Sequence, residues 1–306
     1  MQTILVPLDG AASSEQVLPF VRLLAPALNA RIVLLHVFTD PEHEYAVVRA
    51  PGPAPASDGA ARWLREQHQR WLAQHRAIEE YLEARAAPLR AAGLTVELCI
   101  ELGLPAETIV QVAEQQQAAL LVLASHGYSR LRRWAAGSIA DMVAQRVQVP
   151  LLLVRADTPT PPTQLGRILA PLDGSVQARH VLAHALVLAQ RTAAELVVLQ
   201  THAPAIEDFL QADTTPAAQR ETLRAHVLHA YASHFGRESA ARARVTAVID
   251  VGNLADTVIA HAAAHPNDIV VLAHPPAPGA RRHPGSLHMP QLFRALAAPL
   301  LLVPGG

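Results

Sequence analysis

The chain has 306 residues, of which 51% are apolar and 17% charged, and a formal net charge of −1. That length suits two average domains, and the composition suits packed cores rather than disorder. The balanced charge excludes a basic nucleic-acid or membrane-surface binder, and the single cysteine, Cys99, excludes a disulfide framework or a cysteine-based zinc site. Cys99 falls in an expected strand and reads as a small buried hydrophobe.

No basic stretch followed by an apolar run opens the sequence, and no apolar run nears the ~18 residues of a membrane span. The expectation is a soluble, cytoplasmic protein with no membrane partner. In chain order, short runs rich in Leu, Val and Ile predict strands over Thr3–Pro7, Arg31–Val37, Thr95–Ile100, Ala118–Leu123 and Pro150–Val154. Continuous apolar runs of that length suit strands buried on both faces. Longer amphipathic stretches between them predict helices near Ser13–Leu28, Ala60–Ala92, Pro105–Gln115 and Ser138–Arg146. Ser13-Ser14-Glu15-Gln16 reads as a capping box, and Asn29 and Gly93 as helix ends. Pro41 to Gly59 is rich in Pro and Gly and reads as a loop.

The pattern then repeats. Ile4-Leu5-Val6-Pro7-Leu8-Asp9-Gly10 recurs as Ile168-Leu169-Ala170-Pro171-Leu172-Asp173-Gly174. Arg31 to Val37 matches Glu195 to Thr201, Glu101-Leu102-Gly103 matches Asp250-Val251-Gly252, and Ala118 to Ala124 matches Asn267 to Ala273. Both halves close on Pro-Leu-Leu-Leu-Val. Matches in one order imply a duplication. The Thr- and Pro-rich segment Asp157 to Gly166 reads as the linker, giving domains over 1–156 and 165–306.

Alternation of strand and helix implies an α/β fold: two tandem, doubly wound, parallel five-stranded sheets with right-handed crossovers, Rossmann-like in architecture. In such sheets ligands bind beyond the carboxyl ends of the strands, where strand order reverses. After the fourth strand comes Ala124-Ser125-His126-Gly127, then nine residues from Tyr128 to Ala136, then Gly137-Ser138 at a helix start. Gly127 and Gly137 let backbone approach a ligand closely. The amides around Ser138 and Ile139, with the helix dipole behind them, suit a phosphate, and Arg130, Arg132 and Arg133 can offset its charge. The loop is neither a Walker A loop nor a dinucleotide fingerprint. Asp9, at the end of the first strand, suits a ribose hydroxyl or a capped turn.

These residues resemble the universal stress protein family, in tandem form, whose ATP-binding pattern is G-x-x-G-x₉-G-[ST] after the fourth strand. Ala124 stands in place of the first glycine, a departure that matters only if that position needs positive φ. The resemblance covers the chain twice and implies an adenine nucleotide alpha hydrolase-like fold. It implies ATP, with or without magnesium, in the first domain only. Pro7, Leu8 and Asp9 would line the ribose and adenine pocket, the Val37 backbone would meet adenine, and Gly103 would shape the wall. Ala124, Ser125, His126, Gly127, Arg130, Gly137, Ser138 and Ile139 would form the phosphate loop. In the second copy Pro276 stands at the position of Gly127, and prolines remove the N–H donors a phosphate needs.

The resemblance also implies a regulatory, stress-response role read by a protein partner, and an intramolecular pseudo-dimer through the last strands, with a homodimer of chains left open. A nucleotide-free scaffold and a slow ATPase are the alternatives. His261 with His265, and Glu42-His43-Glu44, lack the partners of a metal site.

Overall fold

The computed structural model describes residues 1–39, 58–125, 139–155, 164–172, 176–202, 221–222, 224–229, 233, 243–265, 269–274, 292 and 295–304. The first half contributes strands β1 (Gln2–Pro7), β2 (Ala30–Phe38), β3 (Val96–Leu102), β4 (Leu120–Ser125) and β5 (Leu151–Arg155). The second contributes β6 (Arg167–Leu172), β7 (Glu195–His202), β8 (Val245–Val251), β9 (Ile269–Ala273) and β10 (Leu300–Val303). Helices among the described residues include α1 (Leu18–Leu28), α2 (Asp58–Ala91), α3 (Pro105–Gln115), α4 (Ile139–Arg146), α5 (Val176–Thr192) and α6 (Leu254–Ala264).

All ten strands join one sheet in the order β3-β2-β1-β4-β5-β10-β9-β6-β7-β8. Each half keeps its own parallel five-stranded order. The halves meet through antiparallel pairing of β5 with β10, which sets Leu153 against Leu300, Leu152 against Leu301 and Leu151 against Leu302. Each of these strands would otherwise end a sheet with unpaired N–H and C=O groups, so each serves as the other's edge cover.

Period-two alternation divides the core in two. Ile4, Val6, Ile32, Leu34, Leu152 and Leu301 face α1, α2 and α5. Leu5, Val33, Leu35, Leu151 and Leu302 face α3, α4 and α6. Full burial of each such side chain contributes about 1.5–3 kcal/mol.

Several expectations shift locally. The expected loop through Gly59 is cut short because α2 begins at Asp58, while residues 40–57 lie outside the described set. The linker reading overran its end, since Leu165 is packed into the core. The capping box at Ser13 does not form. Ser13 has helical φ and ψ, and its side chain makes no cap bond, whereas a cap needs extended backbone there. Ser14 works instead: its Oγ donates to Ala11 O at 2.8 Å and accepts from Asp9 N at 3.4 Å, tying a 3-10 turn ahead of α1. Cys99 is half-buried rather than buried. Burial, then the Glu101 carboxylate, push its thiol up to about 11, so it stays protonated at neutral pH. No described helix is long and apolar enough to cross a membrane.

Candidate functional site

Strand order reverses between β1, which continues to β2, and β4, which continues to β5. The carboxyl ends of β1 and β4 therefore lie side by side, with Ile4 opposite Leu120 and Leu5 opposite Leu121 further down. Carried forward, this register sets Leu8 and Asp9 at the level of Ala124 and Ser125. On the other side of β1, Val37 lies in β2 opposite Glu101 of β3, and Gly103 N–H donates to Phe38 O at 3.1 Å. Residues drawn from four strands thus share one rim of the sheet.

At the rim, Leu8 is buried and its N–H donates to Leu35 O at 2.8 Å. Asp9 is exposed, and its Oδ1 accepts from Ala11 N at 2.9 Å. That closes an Asx turn, helped by Gly10 at φ +88°. Gly103 packs tightly, since a Cβ there would lie 2.4 Å from Thr108 Oγ1 on α3. Ala124 sits in β4, and among the described residues it is not one of those with positive φ, so its methyl adds no backbone strain. Leu102, Leu104 and Ile139 are exposed large apolar side chains at this same rim. His126, Gly127, Arg130, Gly137 and Ser138, which complete the expected phosphate loop, lie outside the described residues.

The structure adds a polar group that sequence reasoning missed. Glu15 Oε1 accepts from the Tyr81 hydroxyl at 3.1 Å and lies 2.8 Å from Arg85 Nε. The Arg85 guanidinium stacks 5.0 Å over the Tyr81 ring, and His36 meets that ring edge-on at 6.4 Å. Burial first, then the charge and hydrogen bond of Glu15, push the Tyr81 phenol up to about 12. His36 Nδ1 is buried without a hydrogen-bond partner among the described residues. The i, i+4 spacing of Tyr81 and Arg85 on a helix was the available signal. Their partner Glu15 lies 66 residues away in sequence from Tyr81. Among the described residues, no three of His, Cys, Asp and Glu gather as a metal site would require.

The sequence pattern of the Universal stress protein family matches residues 1–155 and again residues 165–304. The chain belongs to that family. Universal stress protein MJ0577 of Methanocaldococcus jannaschii is 24% identical over 154 residues, which span 50% of this chain and 93% of that protein. A universal stress protein from Archaeoglobus fulgidus superposes over the tandem length, with a TM-score of 0.63 at 18% identity, covering 99% of this chain and 98% of that one. PA1789 of Pseudomonas aeruginosa, described as functionally unknown, does so with a TM-score of 0.59 at 16% identity, covering 100% and 93%. These two likenesses establish the fold.

Proposed function

We propose that the chain is a cytoplasmic, regulatory stress-response protein that binds an adenine nucleotide, ATP, in its first half. The observation that carries this reading is the reversal of strand order between β1 and β4, which sets Asp9 near the carboxyl end of β4, where the Ala124–Ser138 segment begins. Asp9 is exposed at this rim and keeps a second carboxylate oxygen beyond its turn bond, suited to a ribose hydroxyl. The exposed apolar groups Leu102, Leu104 and Ile139 suit the flat face of a base. Gly137 and Ser138 lead into α4, whose N-terminal amides would meet phosphate. ATP would favour one conformation or assembly state, and a protein partner would read it.

In the second half the prolines at 275 and 276 remove donors from the corresponding loop, so the site belongs to the first half alone. The two halves act as an intramolecular pseudo-dimer. The turn-capping bond of Asp9 favours a second reading, a nucleotide-free scaffold, because it gives that carboxylate a structural use of its own. Acid extraction of the purified chain, followed by calorimetric titration with ATP, separates the two. A saturable heat with a single site supports nucleotide binding. No heat at millimolar ATP leaves the scaffold. Phosphate release with magnesium present measures any slow hydrolysis.

A further inference from the structure

Away from the rim of β1 and β4, the seam between the halves holds a half-open cavity of about 350 Å³ on the α1 and α5 face of the sheet. Its floor includes Leu152 and Leu301, which are opposed across the β5–β10 pair. Leu24 of α1 and Leu188 of α5 form opposing walls. The duplication relates these residues to one another: Leu24 corresponds to Leu188, Leu120 to Ile269, and Leu152 to Leu301. The cavity therefore sits astride the axis relating the two copies.

The symmetry breaks at the mouth. α5 carries Ala183, His184 and Val187, where the first copy has Pro19, Phe20 and Leu23. Phe20 is buried in the core, whereas His184 and Val187 are exposed. Smaller side chains open the space, and an imidazole replaces a phenyl ring at its edge. Among the described residues, the only polar side chains on the lining are Gln2 and His184, and none on it is acidic. His184 Nδ1 meets His180 O at 2.9 Å, which makes Nδ1 the donor and leaves Nε2 as the ring's other polar position. Two turns further along α5, Arg191 donates to Leu28 O at 3.4 Å, so its guanidinium stands beside the Leu28 end of the lining. A full positive charge there outweighs the roughly half-unit negative end of α1.

We infer that this seam cavity binds a small apolar carboxylate, a medium-chain or aryl acid. Its hydrocarbon would lie over Leu152 and Leu301 and its head group would lie toward the Arg191 guanidinium. The volume falls at the lower end of the roughly 300–1,000 Å³ typical of small-molecule sites. An apolar lining with few polar groups at one end is the usual form of a site that fixes a ligand's orientation. This inference does not rest on nucleotide binding in the first half.

The test is calorimetric titration of the full chain with octanoate, and with 1-octanol and octylamine as head-group controls. Octanoate is expected to bind at a single site, with octylamine weaker by about tenfold or more. Ala183→Phe fills the cavity and is expected to weaken octanoate by about tenfold or more. Val187→Phe at the exposed mouth makes the same comparison if Ala183→Phe does not fold. Arg191→Gln is expected to shrink the preference for octanoate over 1-octanol by about fivefold. Absence of binding at millimolar octanoate overturns the inference. So does octanoate binding unchanged by the filling variants, or octylamine binding as tightly as octanoate.

Discussion

The two halves share one scaffold but solve the same local problems with different chemistry. On the paired strands β2 and β3, Arg31 grips Glu97 through two contacts of 2.7 and 2.8 Å and also reaches Thr3 and Gln116. At the equivalent positions on β7 and β8, Glu195 instead accepts from the Thr246 hydroxyl. Before α3, the N-cap Leu104 is exposed and caps nothing, and Pro105 opens the helix. Before α6, with nearly identical backbone angles, Asn253 Oδ1 accepts from Ala255 N at 2.8 Å and Asp256 N at 3.3 Å. After α1, Asn29 takes the left-handed turn at φ +49°, while after α5 an alanine, Ala193, takes it at φ +57°. Backbone geometry has been kept where side chains have drifted. At this helix start the first half leaves Leu104 exposed, where the second spends Asn253 on its own backbone.

The largest separation between the halves is expected in ATP titrations. Ser138→Glu places a carboxylate where phosphate would bind and should weaken ATP by about a hundredfold or more, with Ser286→Glu within about twofold of the parent chain. Equal losses from both would erase the proposed asymmetry. Next come the residues that the halves share. Leu152→Ala and Leu301→Ala should each cost about 2–5 kcal/mol in denaturant unfolding, since both are buried at the seam. A loss confined to one of them would mean that the halves unfold independently.

The two ends of the seam should differ in their response to pH. At one end Arg155 donates to Leu296 O at 3.1 Å and stays charged throughout. At the other, His274 Nδ1 donates to Ala144 O at 3.1 Å, and its Nε2 is buried without a partner among the described residues. Burial lowers the His274 pKa below its ordinary 6.5, against the raising effect of its backbone hydrogen bonds. The unfolded chain then binds the proton more readily than the folded one. The contribution of His274 is complete above that ordinary value and is lost as pH falls below it toward the folded value. Melting temperature measured against pH should show this slope in the parent chain, and His274→Asn should flatten it.

Smaller effects test the drifted caps. Asn253→Ala should cost about 1 kcal/mol and Leu104→Asn should gain a similar amount, because Leu104 already holds the backbone angles of a cap. Ala193→Gly should stabilise by about 1 kcal/mol by relieving a left-handed alanine, while Asn29→Gly should be nearly neutral. Chemical denaturation resolves both pairs.

The strands were legible because a strand buried on both faces leaves a continuous apolar run whose ends are bounded by polar residues. α3 was read to the residue because Gly103 and Pro105 mark its start. The beginning of α1 was misread because serines at 13 and 14 look alike in sequence. Only the turn from Asp9 decides that Ser14, not Ser13, makes the bonds. Asp9 was legible as a residue of this rim because it closely follows the end of a strand. The Glu15, Tyr81 and Arg85 group was not, since its members meet only after α2 crosses the sheet. The seam cavity is a void between helices on opposite sides of the duplication, and no local pattern records a void.

The antiparallel pairing of β5 with β10 has a directional consequence. Strands in the first half all point one way and those in the second the other. The carboxyl ends of β4 and β9 therefore look out from opposite edges of the molecule. The fused pair is thus bipolar, its two sets of carboxyl strand ends held apart by one continuous hydrogen-bonded sheet.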